Sequence, residues 1–438
     1  MRRILLATTL AAGALVAAAP ALALDVAGEK AAIDAEFKAD YPHIDALYKD
    51  IHAHPELGHH ETRTAALLAK EMKALGFTVT ERVGGTGIVA IYKNGPAPTI
   101  LVRTELDALP MEEKTGLPYA SHVQTEWNGK TTFVDHSCGH DIHMAVWVGT
   151  AKALLARKDH WSGTLMFVGQ PAEETGDGAI GMIRDGLFTR FPKPDLGFAL
   201  HGGATADDQV NYKYGVLSSN ADSIEIVFHG RGSHGAQPQF SIDPVLMASR
   251  FVVDVQSVVS RERDPLQPGI VTIGSFQGGT VGNIIPDTVV LRGTVRSYDS
   301  AVRRHMLEGI QRIAAAEAEM AGAPPPDVKV TASGDAVVND EAITRRTAPV
   351  FKAAFGDNAV ELKNPITPSE DYSAFIIAGV PSLFFGIGVY DPKRVADAAA
   401  GGPPLPSNHS PFYAPVPEPT IHTGVLAMTL AIENAAQK

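Results

Sequence analysis

The chain of 438 residues has a single cysteine, Cys138. An intrachain disulfide is therefore excluded, and stability has to come from packed apolar cores. After the first 23 residues, no stretch reaches the roughly 20 uninterrupted apolar residues that a membrane-spanning helix needs. Beyond the N-terminus no block of lysine and arginine stands out, and the formal net charge is −12. That balance argues against a nucleic acid or an anionic membrane surface as partner. Glycine and proline are dispersed, so long disordered segments are not expected. No internal repeat is visible.

What is present begins with MRRILLATTLAAGALVAAAPALA. Two arginines, a short alanine-rich apolar run and the ending Ala21-Leu22-Ala23 have the form of a secretory signal peptide over residues 1–23. The mature protein is then expected in a periplasm or secreted. About 415 residues follow, enough for two domains or more.

Apolar residues at three- and four-residue spacing in HIDALYKDIHAHPEL and TRTAALLAKEMKALG predict helices within residues 28–75. FTVTERV, GIVAIYK and TILVRTEL read as strands, HMAVWVGTAKALLARK as a helix, and GTLMFVGQP and DLGFALHGG as buried strands. Strands alternating with helices argue for an α/β layered domain. From about residue 218 the pattern becomes SIEIVFHGR (strand), DPVLMASRFVVDVQSVVS (helix), GIVTIGSFQGG and TVVLRGTVRS (strands), AVRRHMLEGIQRIAAAEAEMAG (helix) and DVKVTASG (strand). That βαββαβ order is ferredoxin-like. The expected organisation is an α/β domain with a mixed sheet, formed by residues 24–217 and 334–438, interrupted by an α+β unit at 218–333.

The cysteine lies in DHSCGHDIHM, residues 135–144, among His136, His140, Asp141 and His143. It can be an inert buried thiol, a nucleophile or a metal ligand. Further acids and histidines recur near strand ends, where open α/β sheets place their sites. LVRTELDALP supplies Glu105 and Asp107, FVGQPAEETGDG supplies Glu173 and Glu174, FALHGG supplies His201, and the late loop PSNHSPFY supplies His409. Each alone is more often a packing or surface residue than a ligand. Together they offer sulfur, nitrogen and oxygen donors of the kind that suit zinc-like ions.

In order along the chain, HAHPELG, RTELDALP, HSCGHDIHM, QPAEETGDGA, LHGG, GRGSHGAQP, GGTVGNIIPD, SEDYSAF and NHSPF resemble the M20 metallopeptidase family. The likeness is closest to its amidohydrolase branch, which includes aminoacylases, hippurate hydrolases and auxin-conjugate hydrolases. The resemblance implies a catalytic domain carrying two divalent ions (zinc, manganese or cobalt), with the inserted unit serving for dimerisation or as a lid. It implies Cys138, His140, Glu174, His201 and His409 as ligands, with Cys138 shared by both ions. Glu173 resembles the general base that activates water, and Asp107 the acid that orients His140. His234 resembles a histidine that stabilises the oxyanion, and Asn283 a residue that touches the substrate.

Glu105 departs from the family, which more often has aspartate there, and receives no role. His136, His143, His52 and His54 are read as supporting or packing residues. Glu370 and Asp371 are read equally as supports of the site or as caps. NHS at 408–410 is formally a glycosylation acceptor, although His409 beside it is an expected ligand.

The implied activity is hydrolysis of an amide bond in an N-acyl amino acid or a small peptide-like amide, by a homodimer or higher homo-oligomer. Three rivals are an exopeptidase or dipeptidase, a non-catalytic binding protein on the same fold, and a cysteine hydrolase with Cys138 as nucleophile.

Overall fold

The computed structural model describes residues 24–437, so the leader read in residues 1–23 lies outside the described residues. Three of the predicted strands form the frame of the site. Strand Thr99–Glu105 lies between Thr164–Gln170 and Leu196–Ala206 and runs parallel to both. Strand Ser382–Tyr390 pairs in parallel with the far side of Leu196–Ala206. These strands are almost continuously apolar because the sheet is covered on both faces. Ile100 and Val102 enter one core while Leu101 enters the other, as the two-residue repeat of a strand requires.

The full sheet has eight strands, in the order Thr78–Val83, Gly87–Lys93, Thr164–Gln170, Thr99–Glu105, Leu196–Ala206, Ser382–Tyr390, Val210–Tyr212 and Ala359–Glu361. An antiparallel hairpin closes the first edge, and Ser382–Tyr390 meets Val210–Tyr212 antiparallel near the other. The sheet is therefore mixed, as expected.

A second sheet has four strands in the order Gly269–Gln277, Thr288–Ser297, Asn220–His229 and Asp327–Gly334, all antiparallel. Numbered along the chain this is 2-3-1-4, the ferredoxin-like arrangement. Helices Pro244–Asp254 and Ser300–Met320 cover it through Met247, Phe251, Met306 and Ile310.

In the larger unit, helices Val26–Ala53, His140–Ala156 and Pro417–Ala436 pack over one face of the eight-stranded sheet. The last two approach closely because each offers a glycine under the other's valine. A Cβ on Gly149 would lie 2.6 Å from a methyl of Val425, and one on Gly424 would lie 2.6 Å from a methyl of Val146. This contact seats helix His140–Ala156, which begins at the site, closely against helix Pro417–Ala436.

Where these three helices meet, the single guanidinium of Arg157 faces Glu29, Glu36 and Glu433. Burial raises the Glu433 carboxyl to about 8, against the pull of Arg157, and Glu29 and Glu36 add to the rise. The native state thus keeps a proton that the unfolded chain releases near pH 4.5. The contribution to stability is fully present below that pH and is lost as pH rises through about 8. Glu433→Gln is expected to flatten this fall. Stability at pH 5 should stay within about 1 kcal/mol, and at pH 9 it should rise by roughly 1–3 kcal/mol. Urea unfolding at both pH values measures this, and an unchanged pH slope rejects the assignment.

Candidate metal centre

The parallel strands deliver their acids and histidines to one edge of the sheet. Glu105 ends its strand and Asp107 follows, Glu173 and Glu174 follow Gln170, and His201 lies within Leu196–Ala206. Helix His140–Ala156 begins beside them after Gly139, whose φ is +88°. A Cβ on that glycine would come 3.3 Å from the ring and hydroxyl of Tyr413. Glycine therefore serves both the turn and the close approach. Two non-glycine residues with positive φ also lie here, Ala172 at 55° and His409 at 65°. Such conformations persist where the surroundings over-determine them. The backbone N–H of Ala172 donates to buried Glu61 at 2.7 Å, and that of His409 donates to the Ser137 carbonyl at 2.9 Å.

The donor atoms of Cys138, His140 and Glu174 all lie within 4.8 Å of one another. Cys138 Sγ is 3.4 Å from His201 Nε2, and His409 Nε2 is 3.4 Å from Glu174 Oε1. All five expected ligands are thus brought together, with Glu173 Oε2 3.9 Å from His140 Nε2. The tautomers suit the grouping. His140 Nδ1 donates to the Asp107 carbonyl and His201 Nδ1 to the Gly202 carbonyl, both at 2.8 Å. A carbonyl can only accept, so Nδ1 carries a hydrogen in each ring and Nε2 is the nitrogen turned inwards. His140 Nε2 and Glu174 Oε1 are buried with no hydrogen-bond partner among the described residues. A thiol, imidazole nitrogens and carboxylate oxygens converging at one point fit a divalent ion of the zinc kind.

A second grouping, Glu105, His140, His143 and His201, is equally tight, but its chemistry is spent. His143 Nδ1 donates to Glu105 at 3.0 Å, and its Nε2 accepts the Gly202 N–H at 2.7 Å. The other Glu105 oxygen accepts from Arg103. His143 therefore supports the backbone beside His201. Arg103 is fully buried, donates to Glu370 at 2.7 Å and Asp371 at 3.1 Å, and also bonds Gln170 at 2.9 Å. Glu370 and Asp371 thus brace the site from below. They lie within 4.8 Å of Glu173.

Asp107 meets His140 mainly through its carbonyl, since its carboxylate is 3.5 Å from Nδ1 and instead accepts the Glu174 N–H at 2.9 Å. His52, far away in sequence, bonds Asp141 at 2.6 Å and Glu113 at 3.2 Å, steadying the start of the same helix. His54 is exposed, caps the end of helix Val26–Ala53 and bonds Asp50 one turn back. His136 is buried with both ring nitrogens unpartnered among the described residues, and nothing in the structure explains it. His234 and Asn283 sit together on a short ribbon of the second unit, pairing Ser233–His234 with Ile284–Ile285. No contact joins them to the Cys138 group among the described residues. Arg103, Glu61 and Asn408 carry structural roles that the sequence did not reveal, whereas His52 supports the site as expected. An arginine inside the apolar run TILVRTEL was the one available signal.

The electrostatics separate ligand from nucleophile. Burial pushes the Cys138 thiol well up, and Glu174 and Glu173 push it further. Burial, with His143, pulls His201 down to about 3, so it gives the thiol no cationic help. Reactive cysteines are held at a lowered pKa by positive surroundings, whereas the net effect on this thiol is upward. Burial also works against a charged His140, but Asp107 and Glu105 outweigh it and raise that ring to about 10. Burial pushes Glu173 well above the usual carboxylate range, and Glu370 and Glu174 reinforce it.

Arg103→Met keeps the packing but leaves Glu105, Glu370 and Asp371 buried without their cation. It should cost about 3–5 kcal/mol of stability, the range for breaking a buried pair from one side. Urea unfolding measures the loss, and a change below about 1 kcal/mol removes the structural role assigned to Arg103.

Comparison with known proteins sets this geometry in context. Residues 101–400 match the model for peptidase family M20/M25/M40. The chain is 38% identical over 338 residues to a hippurate hydrolase of Campylobacter jejuni, covering 76% of this chain and 84% of that protein. It is 36% identical over 345 residues to an N-acetyl-L-cysteine deacetylase of Bacillus subtilis, covering 77% and 78%. Among solved structures, the Bacillus subtilis YXEP protein, described as a dinuclear metal binding peptidase from the M20 family, aligns with a TM-score of 0.72. That alignment has 25% identity and covers 91% of this chain and 99% of that one. The chain belongs to peptidase family M20/M25/M40, in its amidohydrolase branch, and is a hydrolase of amide bonds.

Proposed function

We propose that the protein is an exported amidohydrolase that releases the amino acid from N-acyl amino acids at a centre of two divalent ions. The observation that carries this reading is the convergence of Cys138, His140, Glu174, His201 and His409, with Glu173 beside them. Those five side chains would hold the ions. Zinc, manganese and cobalt all suit the donor set. When bound, such ions polarise the amide carbonyl and acidify a water.

The chain's own residues do the rest. Glu173 takes a proton from the attacking water as the water oxygen bonds to the carbonyl carbon. It then passes that proton to the amide nitrogen as the C–N bond breaks, so a carboxylate and an amine leave. Asp107 and Gly202 keep the ligand rings in the required tautomer through their carbonyls. His234 Nδ1 accepts the Ala236 N–H at 3.0 Å, which leaves Nε2–H as a donor. His234 would stabilise the developing oxyanion, in its own subunit or across a dimer, with Asn283 touching the substrate. A homodimer is supported by strand Gly269–Gln277, which lies at a sheet edge with Ile270 and Phe276 exposed, and by exposed Leu246 and Val253 on the adjacent helix.

Exopeptidase action on short peptides is the second reading, favoured by the peptidase description of the YXEP protein. Rates on matched N-acyl amino acids and dipeptides with the metal-loaded protein separate the two. Glu173→Gln should retain the metal and lower turnover by roughly 10² or more. Chelators should abolish activity, whereas inactivation by iodoacetamide with resistance to chelators would install Cys138 as a nucleophile. Export rests on the form of residues 1–23, and an extracytoplasmic protein beginning at Leu24 is the outcome it requires.

A further inference from the structure

The expected ligands come from four separate stretches of chain: Cys138 with His140, Glu174, His201, and His409. Their relative spacing has to be set by something other than sequence adjacency. One side chain reaches three of these stretches. Asn408 Nδ2 donates to the Cys138 carbonyl at 2.9 Å and to the Gly202 carbonyl at 3.1 Å. Both partners can only accept, so the group that faces them is the amide NH2. The Gly202 carbonyl is the same one that takes the Nδ1–H of His201 at 2.8 Å. The next residue is His409, held at a φ of 65° with its N–H on the Ser137 carbonyl.

We propose that Asn408 is a positioning residue of the metal centre, setting the spacing of Cys138, His201 and His409 before any ion binds. This rests on the two-ion reading above. The geometry needs two hydrogens on one short planar group. Aspartate has the same shape but would press a carboxylate against two carbonyl oxygens. Serine is shorter and has a single hydrogen. The Asn-His-Ser triplet that reads as a glycosylation acceptor in sequence thus has its amide engaged inside the fold.

The test is titration of the metal-free protein with Co(II), following the thiolate-to-cobalt charge-transfer absorption, for the wild type, Asn408→Asp and Asn408→Ala. Thermal unfolding of the metal-free forms checks that each variant is folded. Both variants should bind Co(II) roughly 10- to 100-fold more weakly, the usual cost of losing a group that orients ligands. Their charge-transfer bands should also be weakened or shifted, with Asn408→Asp no better than Asn408→Ala. Wild-type affinity and spectrum in Asn408→Asp overturn the proposal, because shape alone would then suffice. If Asn408→Asp does not fold, Asn408→Ser takes its place, with intermediate affinity expected and wild-type affinity overturning. A wild-type protein that takes up no Co(II) overturns the metal-centre reading itself. Normal uptake by both wild type and variants removes only the role of Asn408.

Discussion

The acid-rich edge of the sheet exists because one guanidinium lies beneath it. Arg103 is buried in a strand between two others and faces three carboxylates from two distant parts of the chain. Removing ions from water is costly, and a buried cluster is tolerated only when its hydrogen bonds are nearly complete. Here they are: Glu105 is shared between Arg103 and His143, and Asp371 also accepts from Gln170 at 2.6 Å and from the Ala179 N–H at 2.9 Å. The cluster joins strand Thr99–Glu105, strand Thr164–Gln170 and the loop around residue 370 into one body. Glu173 rests on that body, so the position of the expected base is tied to the ion network.

Above this layer the ligands are oriented chiefly by backbone. Two histidine rings are set by carbonyls, and Asp107, which lies between them and the acids, spends its carboxylate on the Glu174 N–H. Backbone carbonyls at strand ends move little, because the sheet fixes them. A site built this way is held near its working geometry before an ion arrives, which is the condition for a well-defined coordination sphere. The two positive-φ residues, Ala172 and His409, show the same bias towards imposed backbone shape.

Much of this was legible in the sequence, for reasons that differ by residue. The central strands were clear because each is a continuous apolar run ending in polar residues, and the second unit was clear from element order alone. The pair Gln124–Trp127 and Lys130–Phe133, and the three-residue strands Val210–Tyr212 and Ala359–Glu361, were not predicted. They are short and largely polar or mixed, so they have too little periodicity to register. Among site residues, those that supply donor atoms announce themselves by chemical type. The residues that hold them do not. His143 and His136 look alike in HSCGHDIHM, and only the contacts with Glu105 and Gly202 give His143 its task. Asn408 received no role beyond a formal sequon, because an asparagine's partners are set by tertiary structure.

The single cysteine gains its meaning from charge. Burial, then Glu174 and Glu173, disfavours a free thiolate, and burial, then Glu370 and Glu174, disfavours ionised Glu173. Both effects share two causes, burial first and then negative groups converging where the sheet ends. A divalent cation at that point reverses the sign for all of them, since metal coordination deprotonates a thiol outright and stabilises neighbouring carboxylates. A nucleophilic mechanism would need a thiol held down by positive charge, and the His140 ring beside the sulfur does not offset burial and the two acids. Among the described residues the only buried guanidinium at this edge is Arg103, and its hydrogen bonds are committed to Glu105, Glu370, Asp371 and Gln170. The surroundings of Cys138 therefore favour coordination over nucleophilic attack.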